Sequence, residues 1–162
     1  MSPENPRSQV NCGVHQPIAP ARLSTSGTRR PVILVADDDA IFLKLVTSLM
    51  QGEGYSVLSA ADGHEGLQLS RSYLGCIDLL ITDVQMPRLN GIELCAHLFE
   101  ERPAIKVMFI TGVDLSEFAA LDANLLVLTK PINGHALKAK VRAILADSGS
   151  SPLLSHSSGA PG

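Results

Sequence analysis

No stretch of the 162 residues approaches the roughly 18 uncharged apolar positions that a membrane-spanning helix needs. The N-terminus also lacks the charged start and continuous apolar run of a secretory signal, so a cytoplasmic home is expected. Cysteine is scarce: Cys12, Cys76 and Cys95 are odd in number and show no CxxC spacing, which suggests neither a disulfide framework nor a zinc site. Cys95 is expected to pack in a core. Charge of neither sign dominates, and a net charge of -3 with 45% hydrophobic residues describes one ordinary domain with some excess chain.

The excess lies at the two ends. Residues 1–30 hold Pro3, Pro6, Pro17 and Pro20 among Ser, Asn and Thr without hydrophobic periodicity, and read as a disordered tail. Arg7, Arg22, Arg29 and Arg30 against the single Glu4 make that tail basic. Residues 147–162, DSGSSPLLSHSSGAPG, read as a second flexible tail, too short for a helix-turn-helix or a catalytic module. Neither nucleic acid nor membrane is expected as a partner.

Between the tails, residues 31–146 alternate in pattern. Short runs rich in Val, Ile and Leu predict five strands: VILVA (32–36), SVLSA (56–60), IDLLIT (77–82), IKVMFIT (105–111) and LLVLT (125–129). The segments between carry helical stripes, one of Phe42, Leu45, Val46 and Leu49, one of Ile92, Cys95 and Phe99, and a last of Leu137, Val141, Ile144 and Leu145. Asp62 with Glu65 and Asn90 with Glu93 have capping-box spacing, and Gly52 and Gly54 bracket the end of the first helix. Leu115 to Leu121 is the weakest helical segment. The expected fold is α/β, a doubly wound five-stranded parallel sheet with helices on both faces.

Such sheets bind ligands at the carboxyl ends of their strands. Asp37, Asp38 and Asp39 follow the first strand, Asp83 the third, Thr111 closes the fourth, and Lys130 follows the fifth with Pro131 behind it. Carboxylates from two neighbouring strand ends repel unless a hard divalent cation sits between them, and magnesium accepts such oxygen ligands while keeping positions open for phosphoryl oxygens. Thr111 offers a hydroxyl and Lys130 a positive charge to the same anion. The constellation suits holding a phosphoryl group on a carboxylate. Asp39 fits neither job and is expected to cap the helix that begins near Ala40. Met86 and Pro87 are read as turn geometry and packing, and His64, His97 and His135 as surface histidines.

Four motifs in order, VADDD, TDVQMPRLNG, FITG and LTKP, resemble the response-regulator receiver domain of two-component signalling, and the resemblance spans Pro31 to about Ala146. It implies a flavodoxin-like receiver fold, with Asp83 as the phosphorylated nucleophile and Asp37, Asp38, Asp83 and the Gln85 backbone carbonyl as the magnesium site. Asp38 would be the direct ligand and Asp37 would act through water. Thr111 would be the switch hydroxyl and Lys130 the phosphate-contacting cation. The donor would be a phosphohistidine on a sensor histidine kinase or a histidine phosphotransfer protein. The chain would then serve as a single-domain response regulator, either contacting a downstream protein or carrying phosphate in a relay.

The chain also departs from the family pattern. Val127 stands where many receivers carry a switch Tyr or Phe, and Gly112 where a small residue, often Ala, is usual. From Thr111 to Lys130 the chain is shorter than in many receivers by about one helical turn, roughly four residues, so the helix there is expected to be short. Three rivals share parts of the pattern. A haloacid-dehalogenase-like phosphatase expects a DxD motif after its first strand, and Asp37 and Asp39 have that spacing, but the Thr that usually follows and a cap domain are missing. A flavodoxin-like electron carrier wants a Ser/Thr/Gly-rich phosphate loop where this chain has three carboxylates. A receiver-fold adaptor that works without phosphorylation would not need the acidic pair, Asp83, Thr111 and Lys130 together.

Overall fold

The computed structural model describes residues 29–113 and 126–147. Five strands form one parallel sheet in the order β2-β1-β3-β4-β5. They are β1 (Val32–Ala36), β2 (Ser56–Ala60), β3 (Leu79–Thr82), β4 (Lys106–Thr111) and β5 (Leu126–Thr129). Helices α1 (Ala40–Gly52), α2 (Gly63–Ser72), α3 (Gly91–Glu101) and α4 (Gly134–Ala146) cover it. The expected parallel α/β sheet is therefore present. The expected helix at Leu115 to Leu121 lies outside the described residues, as do most of the two tails.

Strand composition tracks sheet position. β1, β3 and β4 are central, and residues 32–36, 79–82 and 107–111 are all buried, because a parallel strand covered on both faces needs an uninterrupted apolar run. β2 and β5 are edges and expose Ser56, Ser59, Leu126 and Thr129. Alternation along β1 divides the core into two layers. Val32, Leu34 and Ala36 pack with α2 and α3 around Phe109, while Ile33 and Val35 pack with α1 and α4 around Met108 and Leu137.

Two elements start later than the apolar runs suggest, β3 at Leu79 rather than Ile77 and β4 at Lys106 rather than Ile105. Asp78 still bridges its neighbours, its N–H donating to Val32 O and its carbonyl accepting from Lys106 N–H, so the difference is one of strand ends. In α1 the buried stripe is Val46 and Met50, with Phe42, Leu43 and Leu49 beside it, and Leu45 faces outward with Ile41. Asn90 and Glu93 close a full capping box. Asp62 accepts from Glu65 N–H, but the Glu65 carboxylate turns instead to Ala61 N–H. Gly54 ends α1 with a φ of 90°, a left-handed backbone that glycine adopts without strain.

Cys95 is a free thiol in the core, and burial pushes its pKa up to about 12. His64, His97 and His135 are exposed as expected. Among the described residues no helix is long and apolar enough to cross a membrane.

Arg102 locks the turn between α2 and β3. Its guanidinium donates to Ser70 Oγ, Ser70 O, Tyr73 O and Gly75 O at 2.7 to 2.9 Å. Burial lowers its pKa, since no carboxylate answers the charge closely enough to offset desolvation. A lysine cannot reproduce that planar fork. Arg102→Lys and Arg102→Ala are both expected to lower unfolding free energy by about 2 to 4 kcal/mol in urea titrations, with lysine rescuing little.

Candidate functional site

Asp37, Asp38, Asp83, Thr111 and Lys130 meet at the carboxyl end of the sheet, where the strand order reverses between β1 and β3. Backbone hydrogen bonds pin the strand ends: Asp37 N–H to Ala60 O, Asp83 N–H to Ala36 O, and Lys130 N–H to Thr111 O. Ligand oxygens of Asp37, Asp38 and Asp83 all lie within 4.8 Å of one another. Asp37 and Asp83 are buried, whereas Asp38 is exposed at the mouth. An open cleft of about 720 Å³ joins Asp38, Asp83, Gln85, Thr111 and Lys130.

Lys130 bridges the two buried carboxylates, its Nζ 2.8 Å from Asp37 Oδ2 and 2.9 Å from Asp83 Oδ2. Desolvation opposes the ammonium, but hydrogen bonds to Asp37 and Asp83 outweigh it and raise the Lys130 pKa. Asp37 moves upward too, because burial, helped by repulsion from Asp83, exceeds what Lys130 and the Asp39 N–H return to it. The two directions are compatible: the lysine keeps its charge through its two hydrogen-bond partners, while burial is the main cause of the Asp37 shift.

The loop from β3 to α3 is shaped by close approach. A Cβ on Gly91 would collide with the Asp83 carbonyl, and Gly91 N–H donates to Val84 O. Gln85 N–H donates to Asp83 Oδ1 at 3.2 Å, orienting the carboxylate. Arg88 holds a left-handed φ of 69°, which costs a non-glycine residue roughly 1–2 kcal/mol. Its guanidinium pairs with Asp62, whose carboxylate is otherwise buried at the N-terminus of α2.

Asp39 stands apart from the acidic cluster. Its carboxylate accepts from Ile41 N–H at 2.9 Å and Phe42 N–H at 3.1 Å, the helix cap expected from its position. Thr111 is buried, and its hydroxyl accepts from Val113 N–H at 3.3 Å. Met86 packs against the core while lining the cleft with Pro87. Sequence reasoning missed Phe42, whose ring centroid is 4.2 Å from Lys130 Nζ, and the Arg88–Asp62 pair. The available signal for Phe42 was its place one turn beyond the Asp39 cap.

A parallel sheet with an acidic cluster, a lysine and a buried threonine at its switch point defines a receiver-type switch domain. Residues 33–142 match the family model described as the response regulator receiver domain, and the chain belongs to that family. Over 116 residues it is 32% identical to the alkaline phosphatase synthesis transcriptional regulatory protein PhoP of Bacillus subtilis, covering 70% of this chain and 48% of that protein. Over 126 residues it is 36% identical to the sensor kinase CckA of Brucella abortus, covering 76% of this chain and 13% of that protein. The chain thus spans about half or less of these curated relatives. A CheY-like receiver domain protein from Methanospirillum hungatei superposes with a TM-score of 0.67 at 29% identity, over 73% of this chain and 95% of that one.

The upward shift of Asp37 has a thermodynamic consequence. A carboxyl whose folded pKa is raised stabilises the fold below its unfolded pKa and loses that contribution as pH rises through the folded value. At neutral pH in chelator, Asp37→Asn is therefore expected to melt above the wild type. The gap should close as pH falls through the carboxylate range, which paired thermal melts at several pH values would measure.

Proposed function

We propose that this receiver domain accepts a phosphoryl group on Asp83 from a phosphohistidine donor, on a sensor histidine kinase or a histidine phosphotransfer protein. The observation that carries the reading is the convergence of Asp37, Asp38 and Asp83 within 4.8 Å, with Lys130 bridging two of them. An Asp83 carboxylate oxygen attacks phosphorus, the P–O bond forms as the P–N bond to histidine breaks, and the departing imidazole takes up a proton. Phosphoryl transfer asks mainly for positioning and charge neutralisation. Lys130 supplies one positive charge at the attacking oxygen.

The donor set is all oxygen and anionic, which fits Mg²⁺. Asp38 would ligate directly, Asp37 through water, and Asp83 and the Gln85 carbonyl would complete the protein's share. When bound, the ion would neutralise the cluster and draw phosphoryl oxygens toward Asp83. Two capping hydrogen bonds from the α1 backbone occupy Asp39, which supports leaving it outside the metal site and argues against a DxD phosphatase. The output is a phosphorylation-dependent protein contact or a phosphorelay step in the cytoplasm, with chemistry confined to self-phosphorylation and autodephosphorylation.

Acetyl phosphate with Mg²⁺ is expected to label the wild type and leave Asp83→Asn unlabelled; full labelling of that variant would exclude the assignment. In a magnesium titration, Asp38→Ala should weaken affinity more than Asp39→Ala. The latter should instead lose about 0.5 to 2 kcal/mol of stability.

The switch would run through Thr111. Its hydroxyl leaves Val113 N–H for a phosphoryl oxygen, and Gly112, where an added Cβ would meet nothing within 4 Å, lets the following backbone move. Val127 is half-buried against the core and provides no ring to turn inward. Amide shifts upon adding a phosphoryl mimic should be largest just after Thr111. Thr111→Ala should keep labelling and lose most of that response.

A further inference from the structure

Lys130 has three N–H donors, and two carboxylates take only two of them. The ring of Phe42, on the first turn of α1, lies with its centroid 4.2 Å from the same nitrogen. That is well inside the reach of a cation–π attraction. Phe42 is half-buried, packed against the layer that holds Val46 and Met50, and its N–H is held by the Asp39 cap. The cap fixes the backbone that carries the ring, and packing on the core layer holds one side of the ring itself. The ring is thus better held than the long lysine side chain that reaches it.

We propose that Phe42 is a positioning residue for Lys130, fixing the ammonium over the site by its ring face whenever the carboxylates are claimed by another cation. The proposal rests on the phosphoacceptor reading above. Asp37 and Asp83 are the lysine's only charged partners among the described contacts, and both belong to the cluster that would hold a divalent ion. A second cation on those oxygens weakens their hold on the ammonium and repels it directly. The ring attraction is indifferent to that competition, because an aromatic quadrupole is not neutralised by the metal. With Lys130 only 22% exposed, the contact is partly shielded from water and stronger than its surface counterpart. Held there, the ammonium stays beside Asp83, ready to meet a phosphoryl oxygen.

The ring's electrostatic face can be weakened without changing its bulk. Site-specific replacement of Phe42 by 4-fluoro-, 3,5-difluoro- and pentafluorophenylalanine drains the face stepwise. Labelling rates by acetyl phosphate at saturating Mg²⁺ should fall in step, reaching a loss on the order of two- to thirtyfold. Melting temperatures across the series should stay level. In parallel, the Lys130 ε-methylene protons should be shifted upfield by the ring in the Mg²⁺-loaded wild type, and Phe42→Leu should abolish that shift. A labelling rate that is flat across the fluorinated series, or Lys130 shifts unchanged in Phe42→Leu, would overturn the positioning role. A wild type that takes no label would instead defeat the phosphoacceptor reading, while the methylene shifts would still decide whether ring and ammonium meet.

Discussion

The rim of this domain is organised by one electrostatic conflict, three carboxylates crowded within ligand distance and a single ammonium set among them. The carboxylates cannot drift apart. Asp37 and Asp83 sit on adjacent central strands whose backbones are bonded through Asp83 N–H to Ala36 O, and Asp37 is tied on its other side to Ala60 O. The strands that carry them are buried on both faces, so their ends are the one place where such charge can reach water or an ion. Lys130 arrives from the far side through β5, whose backbone is bonded to Thr111. The sheet thus converts hydrophobic burial along its length into enforced proximity of charge at its tip.

That arrangement explains which parts were legible in the sequence. Short apolar runs announced the strands, but which of them would lie at the sheet edges was not read from the sequence. Side chains placed immediately after strands could be assigned to one rim because parallel topology leaves no choice of end. Asp39 was separable from its neighbours because a carboxylate just before a helix has an obvious use. Leu45 was misplaced for a different reason: Leu43 and Met50 compete for the same face of α1, and helical spacing alone does not say which of two adjacent stripes wins. Contacts across the fold had no one-dimensional signature. Nothing in the spacing of Phe42 and Lys130, or of Asp62 and Arg88, says that they touch.

Charge balance also recurs away from the rim, with a different solution. At the end of α1, Glu53 accepts from Arg142 and Lys138 of α4, and the Arg142 guanidinium holds its carboxyl below the usual range. At the other end of β1, Asp78 takes a two-pronged contact from Arg29 and the Val32 N–H. In each, one acid meets two donors. At the rim the ratio is reversed: among the described residues, three carboxylates share one ammonium at the edge of an open cleft.

The Arg88–Asp62 pair bears on how separable the loop after β3 is from its setting. The backbone at Arg88 sits in a region that favours glycine, and its side chain pairs with a carboxylate on another element, some 26 positions earlier in the chain. A Cβ on Gly63, next to that carboxylate, would strike the Leu89 backbone, so the two segments are fitted to one another over several residues. The loop is consequently not a portable cassette. Transplanted into another sheet without Asp62 and Gly63, the segment from Gln85 to Gly91 would carry a strained residue with no counterweight, and the receiving scaffold would have to supply both halves of the fit.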